Sequence, residues 1–187
     1  MRRNARYHPK MADSGITKRA LAASFKELLD KQTFTQISIG EICALCEMNR
    51  KSFYYHFRDK HDLINWIFDS EFEKYLSSKA TDDPLLTLCT YFYENRAFYK
   101  KIFKIEGQNS FIEHLERVIT PRLIVGVRET AENDSEAEFF ASVLADSLIS
   151  AVRRWLGERE IYSPDHFCTL FRRAHDTVSV VFNCLDS

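Results

Sequence analysis

Glycine and proline are scarce, at 5 and 4 in 187 residues. Both interrupt helices, so their shortage leaves long stretches unbroken and excludes collagen-like or low-complexity chains. No apolar run approaches the ~18 to 20 residues that a membrane span needs. The basic start, with Arg2, Arg3, Arg6 and Lys10, is not followed by an apolar stretch, which excludes a secretory signal. The expected location is the cytoplasm. Five cysteines, at 43, 46, 89, 168 and 184, are an odd and scattered set. A disulfide framework would be even-numbered and dense in a short chain, so reduced thiols are expected. A glycine-rich phosphate loop, a His-Glu-x-x-His pair and a nucleophile elbow are all missing. The reading is therefore a non-enzyme with no cofactor and no metal site.

What is present is core material and a lopsided charge. Apolar residues make up 45% and aromatics 13%, enough for a substantial interior. The net charge of −1 hides 12 basic against 6 acidic residues up to position 60, or +6, and −7 beyond it. A basic end on an acidic body is the distribution expected when one end meets a polyanion.

Apolar residues recur with the helical period almost everywhere, and no stretch sustains a strand-like alternation. Residues 1–15 read as a flexible basic arm ending at Ser14 and Gly15. An amphipathic helix follows over 17–30, with Ala20, Leu21, Phe25, Leu28 and Leu29 in one stripe. Ser38 with Glu41 three residues on matches a capping box and opens a short helix ending near Cys46. Asn49 is a second N-cap ahead of the run to Phe57. Helices are expected over about 61–76, 84–95, 96–105, from 109 to a kink or end at Pro121, over 135–157 and over 163–184. The fold class is all-α: an N-terminal three-helix bundle over 16–60 and a larger C-terminal helical domain over 61–187.

Residues 38–57 thus form helix, tight turn, helix behind a support helix, the layout of a helix-turn-helix whose second helix enters the DNA major groove. Arg50 and Lys51 can reach guanine acceptors or phosphates, and Ser52 can bond to either. Tyr54, Tyr55 and His56 add donors and flat faces. Ser38 and Thr17 are expected to open their helices, where free N–H groups attract phosphate.

The same residues carry a family resemblance. Ser38-Ile39-x-x-Ile42, then Phe53-Tyr54-x-x-Phe57, then Lys60-x-x-Leu63 resemble the signature of the tetracycline-repressor-like (TetR) regulators. The resemblance implies that Tyr54 and Lys60 grip the DNA backbone and that Thr17 and Ser38 contact phosphate. It also implies that Arg50, Lys51, Ser52, Tyr55 and His56 face the groove. The family's Ala-Gly at the helix–helix turn is replaced by Cys46-Glu47. Further on, the stretch Tyr93 to Phe103 and Arg153-Arg154-Trp155-Leu156-Gly157 resemble a branch that includes regulators of dihydroxyacetone kinase operons. The resemblance implies a homodimer through the last two helices, a palindromic double-stranded DNA operator, a small-molecule effector and, by the family's usual mode, repression. A co-regulator acting through a protein partner is the alternative. The stripe Phe139, Phe140, Val143, Leu144, Leu148 and Val152 is independently wide enough for both core and interface.

Two further patterns invite other readings. Cys43-x-x-Cys46 with His56 and His61 approximates a zinc finger, but its spacer is short. Both thiols also share the apolar stripe of Ile39 and Ile42, which makes them core residues. Among the aromatics beyond residue 60, most must be core at helical spacing. Trp66, Tyr99 and His114 are the candidate effector contacts.

Overall fold

The computed structural model describes residues 10–105 and 110–185, with side chains described over 14–105 and 110–177. The described residues fold into nine α-helices and contain no strand. These are α1 Lys10–Lys31, α2 Ile39–Leu45, α3 Arg50–His56, α4 Lys60–Lys79, α5 Pro84–Glu94, α6 Arg96–Ile102, α7 Phe111–Val127, α8 Asp134–Gly157 and α9 Pro164–Leu185. The chain divides into two units after Phe68, within α4. The first part of α4 therefore belongs with α1–α3, whereas the charged break at Arg58 to Lys60 suggests an earlier boundary.

The arm expected over 1–15 lies outside the described residues for 1–9, and from Lys10 the backbone is already helical. Ser14 and Gly15 do not break α1. A glycine inside a helix costs only about 1 kcal/mol, which neighbouring turns absorb.

In the first unit, Leu21, Phe25 and Leu29 of α1 are buried with Ile37, Ile42, Cys43, Phe53, Phe57 and Leu63. Each such side chain stabilises the fold by roughly 1.5–3 kcal/mol when fully buried. Cys43 on α2 and Cys46, its C-cap, are free thiols, and Cys46 Sγ donates to the Ile42 carbonyl at 3.3 Å.

In the second unit an aromatic cluster fills the centre. Phe92 packs edge-on against Tyr99 at 4.8 Å, and Tyr99 stacks on Phe111 at 5.4 Å. The buried Tyr91 and Tyr99 hydroxyls share a 2.7 Å hydrogen bond. Burial pushes both phenols up in pKa, so the pair is neutral and mutually satisfied. Helix α7 lies along α8, where Ala137, Ala141 and Ala145 are buried and let the backbones approach closely. Trp155 stacks on Phe167 of α9 at 4.3 Å, and its indole N–H donates to the Tyr162 carbonyl.

Of the two outcomes expected at Pro121, a kink or an end, the helix does not end there, because α7 continues to Val127. The proline is exposed, so the carbonyl it leaves unpaired one turn back can be hydrated. The apolar stripe of α8 divides along its length. Leu148 and Val152 are buried, while Phe139 and Val143 stay 64% and 48% exposed.

Candidate nucleic-acid interface

Helix α2 begins with the expected capping box. The Ser38 N–H donates to Glu41 Oε2 at 2.8 Å, and the Glu41 N–H donates to Ser38 Oγ at 3.2 Å. Hydrogen bonds from the Ser38 side chain and backbone to the Glu41 carboxyl hold it below its ordinary pKa. The turn that follows is a Schellman motif. The Met48 N–H reaches the Cys43 carbonyl at 2.8 Å and the Glu47 N–H reaches the Ala44 carbonyl at 3.2 Å. Its left-handed position, normally glycine, is Glu47 with φ 56°, the one non-glycine residue of positive φ among the described residues. The substitution at the family's Ala-Gly turn therefore leaves the turn geometry intact and places the strain on Glu47. Asn49 then caps α3, its Oδ1 accepting from the Ser52 N–H at 2.9 Å.

Helix α3 is seven residues long and two-faced. Phe53 is fully buried and Phe57 nearly so, which fixes the helix on its unit. The opposite face carries Arg50 and Lys51, both exposed, with Tyr54 58% and Tyr55 79% exposed. Two large aromatics with more than half of their surface in solvent thus stand beside two cations on this face. Lys51, Ser52, Tyr55 and His56 line one wall of a concavity of about 430 Å³, and Ser14 and Thr17 of α1 contribute to the other.

Thr17 therefore reaches the site, but not as expected. It sits in the middle of α1, where the helix occupies its backbone N–H, so only its side chain can serve a ligand. Ser14 was missed altogether. It lies one turn earlier on the same face, and its place in an assumed flexible arm concealed it. The second missed residue is Gly40. A Cβ there would come within 2.8 Å of Arg50 Nη2, so the bare glycine lets the Arg50 guanidinium lie across the first turn of α2.

Lys60, expected as a phosphate clamp, has contacts within its own unit. Its ammonium donates to the carbonyls of Phe34 at 2.6 Å and Ile37 at 2.5 Å, inside its own unit. Desolvation there lowers its pKa.

The three effector candidates are not brought together in the described clefts. Trp66 belongs to the first unit and packs on Phe57 at 5.8 Å, with the Lys18 ammonium over its ring. Tyr99 is core, at 0% exposure. His114 Nε2 pairs with Asp69 Oδ1 at 2.8 Å. Among the described residues no group of histidine, cysteine or carboxylate side chains has the makings of a metal site. No described helix is long and apolar enough to cross a membrane.

Residues 79–175 match the family model TetR_C_8, the transcriptional regulator C-terminal region. A curated relative is the HTH-type dhaKLM operon transcriptional activator DhaS of Lactococcus lactis subsp. lactis (strain IL1403). It is 33% identical over 100 residues, which are 51% of this chain and 54% of that protein. The chain thus matches about half the length of its curated relative. Among solved structures, the dihydroxyacetone kinase operon activator DhaS aligns with a TM-score of 0.58 at 23% identity, covering 88% of this chain and 97% of that one. A TetR transcriptional regulator from Streptococcus agalactiae 2603V aligns with a TM-score of 0.61 at 21% identity, covering 87% and 94%. At these identities the structures speak to the fold alone, an all-α helix-turn-helix unit followed by a helical C-terminal unit. On the strength of the family model, the chain belongs to the TetR family of transcriptional regulators.

Proposed function

We propose that the protein is a homodimeric DNA-binding regulator that reads a two-fold symmetric operator with α3. The observation that carries this reading is the exposed Arg50, Lys51, Tyr54 and Tyr55 face of a short helix locked from behind by Phe53. Arg50 and Lys51 are the base-reading groups, and Tyr54 is the backbone contact. Thr17, Ser38, Asn49, Ser52, Tyr55 and His56 flank them. Asn49 acts mainly by fixing the start of α3 through its cap. Lys60 acts mainly by holding the loop before α2.

The exposed Phe139 and Val143 of α8 support dimerisation through α8 and α9. Two recognition helices would then meet half-sites ~34 to 36 Å apart or at a multiple of that spacing. A small-molecule effector in the second unit would couple its own binding reciprocally to that of DNA. Repression is the family's usual mode. The curated relative is an activator by name, which gives activation equal standing here.

The test is fluorescence anisotropy of the full chain on labelled fragments of its own upstream region, across a salt series. Tight, fragment-selective binding should fall with a log–log slope of about −0.9 per phosphate contact. Arg50→Ala and Tyr54→Ala should abolish the selectivity. A folded dimer with no fragment preference, unchanged by either substitution, would overturn the reading and direct the search to a protein partner.

A further inference from the structure

The second unit contains a cleft of about 630 Å³ where the end of α6, the start of α7 and the end of α8 meet. Its volume lies within the roughly 300–1,000 Å³ range of small-molecule sites. Among the described residues, Lys100, Lys104 and Arg153 line it against one acid, Glu113. Lys104 and Arg153 form no ion pair among the described residues.

The backbone adds to this imbalance. The first turn of α7, a 17-residue helix, opens onto the cleft at Ser110 and Ile112, bringing the positive end of the helix dipole. The C-terminus of α8 also faces it and would contribute the opposite sign. However, the Leu156 carbonyl accepts from Arg96 Nε at 3.1 Å and the Gly157 carbonyl from Lys100 Nζ at 2.9 Å. The Glu158 carbonyl accepts from Arg96 Nη2. These bonds offset the negative end, and the described lining of the cleft keeps a surplus of positive charge. Phe103, Ile105 and Ile112 supply an apolar side.

We propose that this cleft binds a small organic anion, with a phosphate monoester or carboxylate between Arg153 and Lys104 and an apolar portion against Phe103 and Ile112. Arg153 offers the planar fork that fits either anion in two-point contact, and Lys104 adds a point charge. Glu113 opposes the ligand and limits its affinity. As the effector seat of the regulator, the cleft rests on the reading given above. As an anion site, it does not.

The experiment is titration calorimetry on the full chain without DNA, using phenyl phosphate, benzoate and the neutral benzyl alcohol as probes. At least one anion should bind saturably, and the tighter of the two tells phosphate from carboxylate recognition. Arg153→Gln and Lys104→Gln should each weaken it by about tenfold or more, with unchanged melting because both side chains are at the surface. Glu113→Gln should tighten it several-fold, a gain that a misfolded variant could not give. Benzyl alcohol binding as well as the anions, or anion affinity indifferent to Arg153→Gln and Lys104→Gln, would overturn the proposal. Anisotropy on DNA with and without the anion separates the two readings. Anion binding without DNA binding would support the cleft and overturn the regulator, and DNA binding without anion binding would do the reverse.

Discussion

The ammonium of Lys60 donates a 2.6 Å hydrogen bond to the Phe34 carbonyl and stands 4.2 Å from the centroid of the same residue's ring. A second bond, to the Ile37 carbonyl, completes a clamp on the loop between α1 and α2. Because the charge is partly desolvated, these contacts count for more than surface bonds would. Lys60→Met should destabilise the protein by about 2 kcal/mol. That corresponds to a fall in melting temperature of roughly 4–8 °C for a chain of this size. If Lys60 served only to grip phosphate, Lys60→Met would leave melting unchanged and reduce the salt slope of DNA binding by about one contact. Thermal melting beside the anisotropy series decides between the two roles.

Glu41 gives a pH prediction. Hydrogen bonds from the Ser38 side chain and backbone hold its folded pKa below the ordinary 4.5. A depressed carboxylate contributes stability that is present above the unfolded value and is lost as pH falls through the folded one. Wild type should therefore exceed Glu41→Gln in stability near neutrality, and the gap should close as the pH drops below about 4. Urea midpoints across pH 3 to 7 measure this. A gap that stays constant would mean that the capping box does not depend on the charge of Glu41.

Glu47 occupies a left-handed position at φ 56°. That conformation costs a non-glycine residue about 1–2 kcal/mol, while glycine there gives back roughly 0.5–1 kcal/mol through a more flexible unfolded chain. Glu47→Gly should thus raise stability by about 0.5 kcal/mol and the melting temperature by ~1–2 °C. A lower melting temperature would mean that the Glu47 side chain holds the turn in place.

The capping box, the Asn49 cap and the turn between them are legible in the sequence because each is a local pattern with a fixed chemical role. The start of α1 is not. Ser14 and Gly15 weaken a helix without forbidding it, and the turns on either side decide the outcome. Whether Pro121 ends its helix or lets it run on is open in the sequence for a related reason, since the outcome depends on whether the freed carbonyl meets solvent. Tyr99 could not be assigned from spacing. Its ring is apolar enough for core, and only its hydroxyl partner, Tyr91, shows that the polar tip is satisfied in the interior. Gly40 reads as an unremarkable helical residue until the Arg50 guanidinium is seen lying over it.

Gly40 separates stability from reading. In Gly40→Ala the new Cβ would meet Arg50 Nη2 at 2.8 Å, so the guanidinium, the end of a flexible side chain, must move aside. The backbone gains up to about 1 kcal/mol from replacing a helical glycine. The variant should therefore melt at or above the wild-type temperature while losing preference at the operator bases that Arg50 reads. A good Arg–guanine contact is worth about 1–3 kcal/mol of discrimination. Unchanged operator preference would show that Arg50 reaches the DNA from another pose.

Phe139 tests the dimer. It is 64% exposed on α8, and Val143, one turn on, is 48% exposed, while Leu148 and Val152 beyond them are buried. The exposed half of the stripe contributes nothing to the core of its own subunit, so a charge there should leave the monomer folded. Phe139→Asp should shift sedimentation or scattering mass from dimer to monomer, with melting of the isolated subunit retained. DNA affinity should fall steeply in parallel, because two half-sites linked through one dimer bind with an effective concentration that a lone subunit lacks. A variant that remains dimeric would place the interface elsewhere. A monomer that keeps full DNA affinity would break the link between symmetry and operator on which the half-site spacing depends.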